Sequence, residues 1–238
     1  REFSNWGTTS NGIKKFLRAE GFFISLITFL VVASLAPLFL GYAFFNEEQI
    51  GFYYPHSFFY SRALSEGTSL LWNNGYYAGI SVPFDQFVSA YFPLNRFLFS
   101  FFPFMAAHHL SIFLGVLFGS LFAYFFGRSF GLAKSASFVL FSSYLLATTF
   151  GWLSIGTLAA WSFFMIPGLF LAVHKISKGE RLVLWTILGG VFIGIGFLAG
   201  FAQITFYGYV IAGAFAFYLF LAGKASEKEG SWYTKAGV

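Results

Sequence analysis

The feature that most constrains the fold is a set of apolar segments whose lengths approach the thickness of a lipid bilayer. A helix needs about 20 apolar residues to cross a hydrocarbon core of about 30 Å. Six segments without Asp, Glu, Lys or Arg are of this order, namely 22–45, 105–127, 136–150, 157–173, 182–200 and 204–222. The alternating pattern of barrel strands is absent, and lipid offers the backbone no hydrogen-bonding partners. We therefore predict an all-α, polytopic membrane protein with six transmembrane helices.

The composition excludes several other classes of protein. Hydrophobic residues make up 58% of the chain and charged residues only 10%, where a soluble domain carries about 25% charged residues. A chain with so little charge is neither an ordinary water-soluble globule nor a disordered one. The sequence contains no Cys, which rules out disulfide frameworks, thiolate metal sites and cysteine nucleophiles.

The distribution of the 14 Lys and Arg residues predicts an orientation. If the N-terminus is cytoplasmic, the inner segments hold twelve of them and the outer segments hold only Arg62 and Arg96. Such an excess on one side is the positive-inside pattern of membrane proteins. The net charge of +5 therefore reflects orientation in a membrane, and we expect no nucleic-acid partner.

These segments also predict the domain organisation. We expect a cytoplasmic N-terminal segment at 1–21, a single transmembrane domain at 22–222, and a cytoplasmic tail or the start of a further part at 223–238. The first apolar run, 22–45, is longer than the 7–15 residues of a signal-peptide core, so it reads as an uncleaved anchor. We expect the chain to be a fragment of a longer membrane protein.

One connection between the predicted spans is long, and it contains most of the candidate functional residues. The outer loop 46–104 carries four of the nine acidic residues, Glu47, Glu48, Glu66 and Asp85. Long ordered loops are uncommon unless they have a function. This loop is therefore the predicted functional region.

Short helices at the membrane interface are predicted within this loop. The segment 57–65 can form a helix that ends at Gly67, with Arg62 and Glu66 toward water and its Phe residues toward lipid. The segment 72–79 is typical of a turn at headgroup level. The segment from Tyr91 to Phe104 predicts a partly embedded helix, because it is too short to cross the bilayer.

The loop also contains a series of short motifs in a definite order. They are Glu47-Glu48, Tyr53-Tyr54-Pro55, Leu64 with Gly67, Leu71-Trp72-Asn73, Gly79 with Pro83, Asp85-Gln86 and Tyr91-Phe92-Pro93-Leu94-Asn95. Matching positions continue at His109, 128–133, Trp161 and 200–207, which includes Gln203. This series resembles the bacterial YfhO-type membrane proteins, which are similar to the GT-C superfamily of lipid-linked-sugar glycosyltransferases.

The resemblance implies a reaction and a place for it. A GT-C-like enzyme moves a sugar from a polyprenyl-phosphate donor to an acceptor at the outer face of the bacterial inner membrane. The acidic residue soon after the first span is the expected catalytic base, and either Glu48 or Glu47 matches it by position, although an Asp is commoner there. Asp85 is the second acidic position that the resemblance implies, to orient the acceptor or to assist a metal.

Such chemistry also needs groups that bind the substrate. A cation is needed to stabilise the leaving phosphate, and Arg96 and Arg62 are the two outer cations. Tyr54, His109 and Gln203 are further candidates for substrate binding. Each candidate also has a structural interpretation: the Glu pair can simply end a helix, Arg96 can anchor the interface, and Gln203 can be a polar turn residue.

No metal site is predicted. His108 and His109 are neighbours on a helix and point about 100° apart, so both cannot ligate one ion. Nothing in the spacing requires His56 to bind a metal with Glu48 or Asp85. Phosphate-binding glycine loops and the zinc-protease and serine-hydrolase motifs are absent from the sequence. The sequence leaves cofactors and the oligomeric state open.

Two other classes of function compete with sugar transfer. A transporter or flippase of lipid-linked sugars or polymers usually has charged groups at midmembrane and internal repeats. The predicted spans have neither, which argues against ion-coupled transport. A structural or assembly subunit is the third possibility, and it leaves the acid-bearing loop unexplained. The expected partners are therefore membrane lipid and a polyprenyl-phosphate-linked sugar.

Overall fold

The computed structural model describes residues 10–45, 47, 49–75, 78–81, 89, 91–147 and 161–235, and it describes their side chains except at 10–18 and 224–235. This part of the chain is mostly helical, which confirms the predicted all-α class. The helices are α1 (Ser10–Ser34), α2 (Ala36–Phe39), α3 (Tyr54–Glu66), α4 (Pro93–Phe101), α5 (Phe104–Ser129), α6 (Lys134–Ala147), α7 (Trp161–Phe164), α8 (Ile166–Ser177), α9 (Leu182–Leu198) and α10 (Ala202–Lys235). A π-helical turn, Gln49–Tyr53, precedes α3. Two short strands, β1 (Trp72–Asn73) and β2 (Ile80–Ser81), pair antiparallel.

Two of the described helices are long and apolar enough to cross a membrane. They are α5 and the part of α10 from Ala202 to Gly223. The apolar part of α1, the α7–α8 pair and α9 are shorter. A helix such as α9, with 17 residues, is about 26 Å long. By length and composition, the described chain therefore has two candidate spans, where the sequence predicts six.

Proline residues divide two of the predicted apolar segments. The run 22–45 begins inside α1, which ends at Ser34, and Pro37 then lies in the first turn of the short helix α2. In the run 157–173, a turn at Met165 separates α7 from α8, and Pro167 lies at the start of α8. Proline cannot donate a backbone hydrogen bond and its ring clashes with the carbonyl four residues earlier, so the helix is interrupted just before it.

Large apolar side chains cover the exterior of the last two helices. On α9, Val183, Ile187 and Phe197 are exposed, whereas the buried positions include Gly189 and Gly196. The exterior of α10 is similar and exposes Phe206, Val210, Phe217 and Phe220. Large apolar residues outside and small residues at helix contacts are typical of helices that face lipid.

Small residues also bring α5 close to its neighbours. A Cβ atom added to Gly119 would lie 2.9 Å from the backbone carbonyl oxygen of Phe164 in α7. One added to Gly127 would lie 3.2 Å from Cα of Ser137 in α6. Because the backbones approach this closely, α5 forms the centre of the helix packing and contacts both α6 and α7.

Polar contacts gather four segments at one end of the helices, which we call the basic end. The Glu20 carboxylate of α1 pairs with Arg128 of α5 at 3.1 Å and accepts a hydrogen bond of 2.6 Å from the Tyr124 hydroxyl. Lys134 of α6 donates to the Ala19 carbonyl at 2.7 Å. His174 of α8 lies 3.1 Å from the Ser129 carbonyl oxygen. The basic end therefore joins α1, α5, α6 and α8.

Other contacts define the opposite end, which we call the loop end. The Ser89 hydroxyl donates to the Ala199 carbonyl in the turn between α9 and α10. Ser162 of α7 donates to the Gly196 carbonyl at 3.1 Å and accepts a hydrogen bond from the Phe201 amide at 3.3 Å. Ser89 of the 46–104 segment and the tight turn between the last two helices thus lie at the same end.

The ion pair at the basic end generates a prediction about stability. The Glu20 and Arg128 side chains are only 2% and 16% exposed, so Arg128→Ala leaves a buried carboxylate without its cation. We expect the free energy of unfolding to fall by about 3 kcal/mol or more, as measured by denaturant titration in detergent micelles. The control is Arg62→Ala, which breaks the exposed pair with Glu66 and should leave stability unchanged. Equal losses in the two variants would contradict this assignment.

Candidate functional site

Two short helices of the 46–104 segment, α3 and α4, form the candidate site at the loop end. Helix α3 has Pro55 in its first turn and stops at Gly67, which adopts the left-handed conformation with φ 65°. The backbone amides of Gly67 and Thr68 both donate to the Ala63 carbonyl. Glycine tolerates this conformation because it has no Cβ atom. The predicted helix and its glycine cap are confirmed.

The charged residues of α3 are exposed as the sequence predicts, and its buried residues are His56, Ser57, Tyr60 and Ala63. Arg62 and Glu66 form an ion pair at 2.6 Å. Glu66 thus neutralises the Arg62 guanidinium. Glu66 also accounts for the raised pKa of Arg62, through its hydrogen bond and its charge. Arg62 is therefore less available to an external anion than an arginine without a carboxylate partner.

Helix α4 buries an amide and exposes aromatic rings. Asn95, Leu98 and Phe99 face inward, while the exposed residues include Phe97 and Phe101, whose ring centroids are 5.0 Å apart. An exposed aromatic pair beside a buried amide is the reverse of the pattern in a water-exposed helix. This arrangement agrees with the predicted partly embedded helix.

An open groove lies between α3 and α4. Its volume is about 350 Å³, within the range of small-molecule sites. Its wall is mixed: Ala63, Leu64, Leu70 and Leu71 supply apolar groups, and Thr68, Tyr91 and Arg96 supply polar ones. The groove is lined by Ala63, Leu64, Gly67, Thr68, Leu70, Leu71, Tyr91 and Arg96. We refer to these eight residues as the α3–α4 groove.

Arg96 makes one wall of the α3–α4 groove cationic. It is exposed and forms no ion pair with a carboxylate in the described part of the chain, in contrast to Arg62. Its charge also reaches Tyr60 beneath the groove: burial raises the pKa of the Tyr60 hydroxyl, and Arg96 opposes that rise. Within the described residues the groove therefore combines a cation that has no carboxylate partner with apolar side chains, which is the chemistry needed for an anionic, lipid-like ligand.

A chain of buried hydrogen bonds holds α4 in place beside the groove. The indole Nε1 of Trp161 in α7 donates to the Ser111 hydroxyl of α5 at 2.9 Å. Ser111 in turn donates to Oδ1 of Asn95 at 2.5 Å. Asn95 and Ser111 are fully buried and Trp161 is nearly so. Three helices are thus joined through the residue that precedes Arg96.

Two of the predicted substrate-binding residues, Tyr54 and His109, belong to a neighbouring aromatic cluster. The Tyr54 ring lies 5.2 Å from His108 and 6.0 Å from Phe104, measured between centroids. Burial raises the pKa of the Tyr54 hydroxyl, and the Phe44 backbone opposes this effect. His109 is buried next to His108, with ring centroids 6.2 Å apart. Neither Tyr54 nor His109 lines the α3–α4 groove.

The predicted acidic residues are described only in part. Glu47 is exposed and follows α2 in the chain. Glu48 and Asp85 lie outside the described residues. The expectation that the three carboxylates converge on one cavity therefore stays a prediction.

The remaining predicted positions do not form part of the groove. Gln203 is exposed on the first turn of α10, where its Nε2 donates to the Tyr207 hydroxyl at 3.1 Å. This geometry fits the interpretation as a polar residue near the turn. Among the described residues, no three His, Asp or Glu side chains are grouped in a way that would hold a metal ion.

Several structural residues are not distinguished by the sequence alone. Ser111 contacts α4 at the loop end, and Tyr91, which lines the groove, stands in the sequence only as part of a motif. Glu20, which pairs with Arg128 at the basic end, is a further example. A carboxylate at the start of an apolar run or a serine within one is a weak signal, because serine often hydrogen-bonds its own helix backbone. Only the partners in space distinguish these residues from ordinary ones.

Comparison of the chain with known protein families, with curated proteins and with solved structures gave no match. The function is therefore argued from the geometry of the groove together with the motifs of the sequence.

Proposed function

We propose that this chain is a GT-C-like membrane glycosyltransferase that moves a sugar from a polyprenyl-phosphate donor to an acceptor. In this proposal the protein lies in the bacterial inner membrane, with six spans and a cytoplasmic N-terminus. The α3–α4 groove is at the outer surface. It binds the donor where the phosphate meets the first part of the lipid tail.

The observation that carries the proposal is the environment of Arg96. Its guanidinium has no carboxylate partner among the described residues, and it borders a groove with an apolar wall made by Leu64, Leu70 and Leu71. A guanidinium binds phosphate oxygens through two parallel hydrogen bonds. The donor presents a monoanionic phosphodiester and an apolar tail, and the departing polyprenyl phosphate gains a second negative charge. Both groups therefore match the cation and the apolar wall of the groove.

The proposed reaction needs one proton acceptor and one stabilised leaving group. The acceptor hydroxyl attacks the anomeric carbon of the sugar, and the bond from that carbon to the phosphate oxygen breaks. The bonding electrons leave with the polyprenyl phosphate, whose charge Arg96 stabilises. The proton of the hydroxyl passes to the carboxylate of Glu48 or Glu47. Asp85 orients the acceptor.

Two structural features support the placement in a membrane. Exposed apolar side chains cover α9 and α10, and two helices have the length and composition of spans. The basic end gathers Arg128, Lys134 and Lys175, whereas the groove lies at the loop end. This separation agrees with a cytoplasmic basic end and an outer groove.

The proposed orientation predicts the result of a topology experiment. A reporter fused after Gly75 lies in the outer loop, and one fused after Lys178 lies in an inner turn. We expect the two fusions to report from opposite sides of the membrane, as measured with a reporter that is active on one side only. Reports from the same side would contradict the proposed topology.

The proposed base predicts the effect of removing each acidic side chain. Glu48→Gln or Glu47→Gln should lower sugar transfer by about 100-fold or more while the yield of folded protein stays the same. The measurement is the release of polyprenyl phosphate from a synthetic polyprenyl-phosphate hexose in membrane vesicles. Glu66→Gln is the matched control, because Glu66 pairs with Arg62 and has no role in transfer. Full activity in both single variants and in the double variant would contradict the assignment of Glu48 or Glu47 as the base.

The same vesicles distinguish the alternative function. A wild-type protein that moves the donor across the vesicle membrane without cleaving it is a flippase.

The groove predicts different roles for the two outer arginines. Arg96→Gln should raise the KM for the same donor by about tenfold or more, because the charge-assisted hydrogen bonds from the guanidinium to the phosphate are lost. Arg62→Gln should leave this KM unchanged, since Glu66 already neutralises Arg62. Steady-state kinetics over a range of donor concentrations measure the difference. Equal effects of the two substitutions would argue against the groove as the phosphate site.

A further inference from the structure

We infer that Ser111 and Trp161 are positioning residues that hold Arg96 in the α3–α4 groove. They act through Asn95, and neither residue lines the groove itself. The inference rests on the proposed function, because it takes the phosphate of a polyprenyl phosphate as the ligand of Arg96.

With Oδ1 of Asn95 facing Ser111, the hydrogen-bond chain runs in one direction. The Trp161 indole nitrogen can donate but cannot accept, and Ser111 has a single hydroxyl proton. Ser111 therefore accepts from Trp161 and gives its own proton to Asn95, as the distances of 2.9 and 2.5 Å indicate. The Asn95 atom that receives this proton is Oδ1. The orientation of the buried amide is thus set by groups on two other helices.

The Asn95 amide fixes the rotation of α4 about its axis. Successive residues on a helix point about 100° apart, so a buried Asn95 directs Arg96 away from the interior. Trp161 contacts α4 a second time, because its ring lies 5.0 Å from that of Phe92, the residue that caps the helix. One indole thus constrains both the start of α4 and the turn that carries Arg96.

Other contacts around Arg96 do not replace this constraint. The Arg96 backbone amide donates to the Phe92 carbonyl, and the Ser100 hydroxyl donates to the Arg96 carbonyl. Both bonds are within α4 or its cap, so they move with the helix. Only contacts from outside α4 determine how the helix is turned toward the groove.

A matched pair of serines on α5 provides the experiment. Ser111 and Ser120 are both fully buried on the same helix, but the Ser120 hydroxyl has no hydrogen-bond partner among the described residues. Ser111→Ala removes the hydroxyl that hydrogen-bonds Asn95. Ser120→Ala also removes a buried serine hydroxyl, but one without such a hydrogen bond. Any general effect of a smaller side chain in α5 is expected in both variants.

The measurement is equilibrium binding of sugar-free polyprenyl phosphate to the purified full chain in detergent. We expect Ser111→Ala to weaken binding by at least about fivefold and Ser120→Ala to leave it unchanged. In the Arg96→Gln background, Ser111→Ala should cause no further loss, because there is no guanidinium left to position. Trp161→Phe keeps an aromatic ring, smaller than the indole, and lacks the N–H group. It should weaken binding in the same way and serves as the test if Ser111→Ala fails to fold.

Three outcomes would overturn the inference. One is equal binding by the Ser111 and Ser120 variants, and another is an additive loss in the Arg96/Ser111 double variant, which indicates a general packing effect. The third is a wild-type chain that does not bind polyprenyl phosphate. A different result would contradict only the proposed enzyme. If the binding pattern is as expected but no polyprenyl phosphate is released from the hexose donor, the positioning role is supported and sugar transfer is contradicted.

Discussion

Polar pairing at both ends of α5 is the interaction on which the arrangement of the other helices depends. At the basic end, Arg128 and Tyr124 bind the Glu20 carboxylate of α1. Nearer the loop end, Ser111 joins Asn95 of α4 to Trp161 of α7. Between these points, helix contacts are made by apolar and small side chains, which pack closely but have little directional preference. Polar groups in an apolar interior are costly unless they are paired, so the pairs strongly favour one arrangement.

The candidate site depends on this scaffold. The α3–α4 groove has an apolar wall from Leu64 of α3 and from Leu70 and Leu71 just after it, and one exposed cation, Arg96 of α4. Both short helices pack on α5. Short helices are marginally stable by themselves. Their positions are therefore determined by what they bury, namely Tyr60 in α3 and Asn95 in α4. The position of a binding group such as Arg96 therefore depends on the buried residue next to it in the helix.

Much of the secondary structure could be predicted from hydropathy and from glycine and proline. The predicted runs 105–127, 182–200 and 204–222 agree with α5, α9 and α10, and the cap at Gly67 is where the sequence predicts it. The breaks near Pro37 and Pro167 were not predicted, although the prolines signal them. Of the predicted site residues, Arg96 lines the groove, while Arg62 is paired with Glu66 and Gln203 with Tyr207. Sequence alone could not separate the two arginines, because that distinction depends on which carboxylate lies nearby.

The sequence by itself determined that the chain is helical, that its helices have apolar exteriors and that its basic residues cluster in particular segments. These properties follow from local composition, because backbone hydrogen bonding within a helix needs only neighbouring residues. Tertiary structure alone decided which polar residues meet. Glu20 and Arg128 are separated by 108 residues, and Trp161 reaches Ser111 across 50. When nearly every face of a helix is apolar, hydropathy does not specify which face packs inward. A few polar pairs and the shapes of small residues specify it, and these act only once the helices are together in space.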